Sequence, residues 1–223
     1  MPAFDEEASI EAAIDEVREC VLDRVAGARL IVIDDGSRDA TGAILDRIGT
    51  DPGIRVVHQA NAGHGPALRA GLDHADAEWI LLVDSDRQIP MTAFDALWAS
   101  RTGVDAVFGR RTNREDTAVR RIVTGVLRLL LTVLFAVPLA DSNAPFKLLR
   151  RDLWTDAARA IPPGCTIPSV LIAAYVVRTG RPHAIVPVEH RRRSAGQTSL
   201  RSLKLFRFSA RAAGELIAFR LRP

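Results

Sequence analysis

The sequence predicts an α/β fold in which a largely parallel sheet is covered by helices. Three observations carry that prediction. Helix-periodic segments alternate with short apolar runs through the first half, the trace that successive βαβ units leave. Two acidic clusters, Asp34-Asp35 and Asp84-Ser85-Asp86, directly follow two of those runs, where open α/β sheets bind ligands. The chain of 223 residues is 48% hydrophobic and 26% charged, enough for one packed domain and too apolar for general disorder.

Ala8 to Val25 reads as the first helix, with Ile10, Ile14, Val17, Val21, Leu22 and Val25 on one side and Ser9 near the N-cap. Arg29 to Ile33 is a buried strand that runs into the turn Asp34-Asp35-Gly36-Ser37. Gly36 permits the tight turn, and Ser37 or Asp39 is placed to cap the next helix, Thr41 to Ile48. Ile54 to His58 is the second strand. Gly65 to Ala75 is a helix with Pro66 in its first turn, where the missing N–H does little harm. Trp79 to Val83 is a third strand, apolar on both faces and so expected at the centre of the sheet. Asp105 to Phe108 is a fourth.

The second half changes character. Ile122 to Ala140 carries a single charge, Arg128, and a single proline, Pro138. Its length fits a membrane span. Arg128, Thr124, Gly125 and Thr132 count against a simple one, so an interface helix within 119–140 and a buried core helix stand beside that reading. In the tail, Arg201, Lys204, Arg207 and Arg211 recur at helical spacing beside Leu200, Leu203, Phe206, Ala210, Leu216 and Ile217. This basic amphipathic pattern suits an anionic membrane surface, and equally a terminal helix packed on the domain. The division expected is a domain over 1–198 and a C-terminal helix over 199–223.

Composition narrows the function. The net charge is +3 and aromatics are 5% of the chain, with no aromatic interleaving among the basic residues, which argues against nucleic acid as a partner. Cys20 and Cys165 form neither a disulfide framework nor a zinc cluster and read as free thiols in a reducing compartment. The acidic N-terminus shows no secretory signal. Gly63-His64-Gly65 follows a strand and opens a helix like a dinucleotide fingerprint, but Leu68 stands at the third glycine position and Pro66 removes a donor, against an NAD(P) enzyme.

The sharpest chemical signal is Asp84-Ser85-Asp86. Residues two apart on an extended segment point the same way, and two carboxylates so placed repel unless a cation lies between them. Mg²⁺ or Mn²⁺ suits such oxygen ligands, with Gln88 a further oxygen donor nearby; a solvated acidic turn ahead of Pro90 is the competing reading. Asp34-Asp35-Gly36-Ser37 reads either as a turn and cap or as a pocket for ribose or a base edge.

Four segments resemble family-two glycosyltransferases in order and spacing. They are Pro2 to Glu7, Ile33 to Thr41, Asn61 to Gly65, and Leu82 to Gln88. Arg120-Arg121, Asp141 to Arg151 and Arg191 to Ser199 are similar to the polyprenyl-phosphate branch, which includes dolichol-phosphate mannose synthases. The resemblance implies the GT-A fold, a Rossmann-like three-layer sandwich with a mostly parallel central sheet, followed here by C-terminal membrane-interface helices. It implies that Pro2, Phe4, Glu6, Asp35 and Gly63 border the nucleotide, and that Asp84, Asp86 and Gln88 hold the diphosphate through Mg²⁺ or Mn²⁺. Arg193, in the Arg191 to Ser199 loop, would close over the diphosphate. Arg120, Arg121 and Arg128 would receive an acceptor phosphate, with Asp141 near sugar and acceptor. The catalytic set expected is Asp86, Asp141, Arg120 and Arg121.

The chain departs from the family pattern at several points. Only Met1 precedes Pro2, where family members have a strand, so the first strand is expected to be missing, either from the protein or because its start lies further upstream. Asp5 stands for the usual Asn, Pro145 for a Gly, and Gln197-Thr198 for a Lys-containing loop end. The function expected is inverting transfer of a sugar from a UDP- or GDP-sugar to a polyprenyl phosphate. The alternatives are a sugar hydroxyl acceptor with Asp141 as base, and a non-catalytic nucleotide-sugar-binding module. The expected location is cytoplasmic, peripheral on the inner face of the membrane.

Overall fold

Alternating side chains along the strands divide the core into two apolar clusters, one on each face of the sheet region. The computed structural model describes residues 1–112, Gly125, Thr132, 144–191 and 202–221. Its strands are β1 (Pro2–Ala3), β2 (Leu30–Asp34), β3 (Ile54–His58), β4 (Trp79–Leu82), β5 (Ala106–Thr112), β6 (Lys147–Arg150) and β7 (His183–Glu189). Its helices are α1 (Ile10–Val17), α2 (Thr41–Ile48), α3 (His64–His74), α4 (Phe94–Ala99), α5 (Arg151–Ala160), α6 (Pro168–Arg178) and α7 (Ser202–Leu221).

Ile80 and Leu82 of β4, Ala106 and Phe108 of β5 and Leu149 of β6 face a cluster with Leu72 of α3, Trp154 of α5 and Leu171 of α6. Val107 and Leu148, one residue out of step, face the other cluster with Leu30 and Val32 of β2, Ile14 of α1 and Leu97 of α4. This is the period of two that a strand imposes, and it produces three layers. Adjacent parallel strands are joined through helices, as the sequence predicts: β1 pairs with β2 (Pro2 opposite Ile33) and β2 with β3 (Leu30 opposite Ile54). β6 is antiparallel to both β4 and β5, and β7 returns parallel to β5.

Three differences from expectation matter. First, the strands form two sheets, β1-β2-β3 and β4-β6-β5-β7. The first strand is present as the two residues Pro2–Ala3, too short to bridge β2 to β4, so β4 lies at a sheet edge instead of the centre. Second, the first helix ends at Val17 and continues as a π-helical turn over Arg18–Leu22. Third, α7 turns Ala212, Leu216 and Phe219 into the α3–α5–α6 cluster, and Glu215 accepts the Thr166 amide at 2.9 Å. That apolar face is covered by protein, while Ile217 and Leu221 remain exposed. Among the described residues no helix is long and apolar enough to cross a membrane. The segment 119–140, apart from Gly125 and Thr132, lies outside them.

α3 meets the Cys165–Thr166 loop ahead of α6 where a side chain would not fit. A Cβ on Gly65 would collide with the Cys165 carbonyl and stand 2.8 Å from Thr166 Cα. A Cβ on Gly71, two turns on, would meet only Ile33 Cγ1 at 3.5 Å, an ordinary contact. Gly65→Ala is therefore predicted to destabilise the protein by about 1–3 kcal/mol through overpacking. Gly71→Ala should stay within about 1 kcal/mol of the parent, since helix propensity favours Ala. Urea unfolding of the two variants checks the contrast; equal midpoints would contradict it.

Candidate active site

The carboxyl ends of β1, β2 and β4 bring most of the described candidate residues to one edge of the fold. The loop after β1 is stitched to the loop after β2 by reciprocal hydrogen bonds. Asp5 donates its amide to Ser37 Oγ at 3.1 Å and accepts the Arg38 amide at 2.7 Å. The Glu6 amide donates to Thr41 Oγ1 at 2.8 Å, and Glu7 accepts the Ala40 amide at 2.9 Å. Asp5 adopts φ 51°, a left-handed conformation that Asp and Asn tolerate better than other side chains, so Asp serves here in place of Asn. Ser9 sits at the helix start, but its hydroxyl donates to the Glu6 carboxylate at 2.7 Å instead of capping α1. Asp39 accepts the first amide of α2, from Thr41, at 2.9 Å.

Asp34 and Asp35 are both buried, and both are answered from within the protein. Asp34 accepts the Ser37 amide at 3.0 Å and pairs with His58 Nδ1 at 2.8 Å, while His58 Nε2 reaches Asp46 at 3.0 Å. Burial opposes the Asp34 charge, but hydrogen bonds from Ser37 and His58 hold its carboxyl below the ordinary range. The bond to Asp34 in turn raises His58. The Asp35 carboxylate accepts three donors: Gln59 Nε2 at 2.6 Å, the Ala62 amide at 2.9 Å and the Gly63 amide at 2.8 Å. It thus organises the loop that opens α3 and meets Gly63, another of the expected nucleotide residues, directly. Gly36 (φ 71°) is required beside it, because a Cβ there would stand 2.8 Å from the Asn61 amide nitrogen. Pro2 and Glu6 are buried and Phe4 is half-buried in the same region.

The end of β4 is different. Asp84 Oδ1 is shielded from solvent and has no hydrogen-bond partner among the described residues. Burial is the largest influence on this carboxyl and pushes its pKa up; the Asp86 carboxylate pushes the same way. His64, the Met1 amine and Arg111 pull against them. His64 Nε2 lies 3.8 Å from Oδ1, too far for a hydrogen bond. Asp86 accepts the Gln88 amide at 3.1 Å, which turns the chain at this point. Arg87, at φ 56°, leans away to Glu16, its Nε 2.9 Å from Oε1. The Gln88 carbonyl accepts the Arg191 amide at 2.7 Å, which holds the chain leaving β7 against the acidic turn.

This donor set fits a divalent cation. Two carboxylates share one turn, and one of their oxygens is buried without a partner, an arrangement a hard cation relieves. Among the described residues no group of three or more His, Cys, Asp or Glu is arranged to hold a metal ion by itself, so diphosphate oxygens would have to complete the coordination. Arg120, Arg121, Arg128, Asp141 and Arg193 lie outside the described residues.

Two residues at the site went unassigned in the sequence reading. The sequence places His64 only within the Gly63-His64-Gly65 turn, and Arg111, at the carboxyl end of β5, belongs to no motif. Position after a strand was the available signal for Arg111. Lys147, fully buried at the start of β6, donates to the Ala144 carbonyl and to Ser169 Oγ at 2.6 Å, pinning the chain just after 141–143.

Residues 1–153 match the model of the family described as glycosyl transferase family 2. Among relatives, an undecaprenyl-phosphate 4-deoxy-4-formamido-L-arabinose transferase of Pseudomonas fluorescens is 25% identical over 92% of this chain and 60% of its own length. A prophage bactoprenol glucosyl transferase homolog of Escherichia coli K12 is 27% identical over the whole chain and 72% of its own length. The chain thus spans about 60% of the length of the arabinose transferases it matches. The Mycobacterium tuberculosis glucosyl-3-phosphoglycerate synthase, solved with Mn²⁺, UDP and phosphoglyceric acid, superposes with a TM-score of 0.74 at 23% identity, covering all of this chain and 77% of that one. At that identity the likeness establishes the fold.

The Asp84 environment makes a prediction about stability. A carboxyl whose pKa is raised by folding costs stability once pH exceeds its unfolded value, and the cost is complete above its folded value. Asp84→Asn is therefore predicted to melt higher than the parent at pH 7 without divalent metal. The gap should close as pH falls toward 4 and the parent carboxyl takes up its proton. Calorimetric melting across that range checks this; a lower melting point for the variant at pH 7 would contradict it.

Proposed function

The chain belongs to glycosyl transferase family 2, and on that premise we propose that it moves a sugar from a nucleoside diphosphate to a polyprenyl phosphate with inversion. The observation that carries this reading is the buried, unpartnered Asp84 Oδ1 beside Asp86, at the strand end where α/β folds place their ligands. The names of the relatives, which act on undecaprenyl phosphate or bactoprenol, support the acceptor.

In this mechanism Asp84 and Asp86, with Gln88, hold Mg²⁺ or Mn²⁺. When bound there, such an ion would neutralise charge growing on the departing diphosphate. Pro2, Phe4 and Glu6 border the base and ribose, and Asp35 keeps the Asn61–Gly63 loop in place beside them. Arg193, two residues after the Arg191 amide that donates to the Gln88 carbonyl, closes over the diphosphate. Arg120, Arg121 and Arg128 hold the acceptor phosphate, for which the planar guanidinium fork is suited. An oxygen of that phosphate forms a bond to the anomeric carbon from the face opposite the diphosphate. The bond to the diphosphate breaks, and its electron pair leaves with it. The acceptor is already an anion, so no general base is needed. In this reading the segment 119–140 lies at the membrane interface, and the protein is peripheral on the cytoplasmic face.

Turnover with a panel of UDP- and GDP-sugars and detergent-dispersed undecaprenyl phosphate tests the proposal. The expected result is a lipid-linked sugar of inverted configuration, with Asp141→Asn retaining kcat within about tenfold. A loss of about 10²–10⁴-fold in that variant would identify Asp141 as a general base and a hydroxyl acceptor instead. No product from any donor would leave the non-catalytic module.

A further inference from the structure

Among the described residues, Asp5 and Arg87 are the two other than glycine that adopt a left-handed backbone. Asp5 supports that conformation with its own short side chain, which accepts the Arg38 amide. Arg87 has no such means. Its long side chain does not bond the neighbouring backbone as Asp or Asn does, so φ 56° must be held from elsewhere. The position matters, because residue 87 lies between Asp86 and Gln88, inside the acidic turn.

The hold comes from α1. Glu16, in its last turn, accepts Arg87 Nε at 2.9 Å and Arg87 Nη2 as well, both on Oε1. The Arg87 and Glu16 side chains are 34% and 25% exposed, so the pair is shielded from much of the solvent that weakens surface ion pairs. On either side of residue 87 the turn carries further bonds. Asp86 Oδ1 accepts the Gln88 amide at 3.1 Å, and the Gln88 carbonyl accepts the Arg191 amide at 2.7 Å. Both bonds depend on the direction in which residue 87 turns the chain.

The charge matters as much as the backbone. Arg87 is the cation next in sequence to Asp86, and a guanidinium pairs readily with carboxylates. Released, it would turn to Asp84 or Asp86 and stand where a divalent cation belongs. Glu16 draws it off to α1. We propose that Glu16 and Arg87 form a latch on the acidic turn, which holds residue 87 left-handed and keeps the arginine off Asp84 and Asp86, so that the two carboxylates stay open to a divalent cation. Both are positioning residues; neither touches the ion. This latch presupposes the metal-dependent reading of Asp84 and Asp86 and adds to it the device that keeps their site open. Its consequence is asymmetric. Loss of Glu16 alone frees the turn and releases a competing cation. Replacing Arg87 with glycine as well removes the competitor, and glycine adopts a left-handed backbone without steric cost. An ion pair that merely stabilises the fold behaves otherwise, because once one partner is gone the loss of the other restores nothing.

The test follows Mn²⁺ binding by the paramagnetic resonance signal of the free ion, in the presence of UDP or GDP, whichever the parent binds. Glu16→Ala should weaken Mn²⁺ binding by at least about tenfold, the size of effect that groups outside the ligand shell exert on a metal site. Glu16→Ala combined with Arg87→Gly should return binding to within about threefold of the parent. In the metal-free protein, Glu16→Ala should speed amide exchange at Gln88 by at least about tenfold. Parent-like Mn²⁺ binding by Glu16→Ala overturns the latch, as does a double variant that binds no tighter than Glu16→Ala. Unchanged exchange at Gln88 overturns it too. If Glu16→Ala does not fold, Glu16→Gln, which keeps an acceptor without the charge, should still weaken Mn²⁺ binding, and parent-like binding by that variant counts equally against the latch. A parent that binds no Mn²⁺ with either nucleotide contradicts the metal site itself and the latch with it, whereas the other failures leave the metal site standing.

Discussion

A carboxylate at the end of a buried strand must be answered by donors or by a cation, and that constraint orders this site. Asp34 and Asp35 are answered within the protein, by Ser37 and His58 in one case and by Gln59 and the Ala62 and Gly63 amides in the other. Those bonds reach across two connections in the sequence and fix the loops that open α2 and α3. Asp84 is not answered, and the groups that pull on it are the cationic or ionisable His64, Met1 amine and Arg111. The structure therefore separates two carboxylates bonded within the protein from one with an oxygen that has no partner among the described residues. Carrying an unsatisfied charge costs folding energy, a familiar trade at functional positions.

The same ends of the strands are supported by packing that leaves little freedom. The Cys165–Thr166 loop ahead of α6 approaches α3 so closely that only glycine fits at residue 65, next to His64, whose Nε2 lies 3.8 Å from Asp84 Oδ1. Lys147 is tolerated in the core because its ammonium meets the Ala144 carbonyl, Ser169 and the face of Phe108, and it anchors the start of β6. The Arg191–Gln88 bond joins the exit of β7 to the acidic turn. Elements distant in sequence thus converge on one edge, while the sheet behind them is interrupted between β2 and β4.

Much of the first half was legible because its signals are local. Thr41–Ile48 and Ile54–His58 match their predicted bounds, since helical period, turn chemistry and a short apolar run each need only neighbouring residues. The Asp84-Ser85-Asp86 cluster was legible for the same reason. Less visible were features set by distant partners. The bonds of Asp35 could not be read from its neighbours, because its three donors lie more than twenty residues on. Trp79 to Val83 looked central, but β1 is too short to cover its second edge. The tail's apolar positions fitted a membrane surface or a core; among the described ones Leu216, with Ala212 and Phe219, packs on the domain, while Ala210 and Ile217 stay exposed. His64 and Arg111 gained meaning from a carboxylate that the fold brings to them.

The central claim is that Asp84 is the ligand-ready carboxylate of a metal-dependent nucleotide site. Calorimetric titration of UDP and GDP, each with and without Mn²⁺, into the parent and Asp84→Asn proteins tests it most directly. The account predicts binding of one nucleotide that requires Mn²⁺ and disappears in the variant. Binding that is indifferent to the metal, or equally tight in Asp84→Asn, would contradict it.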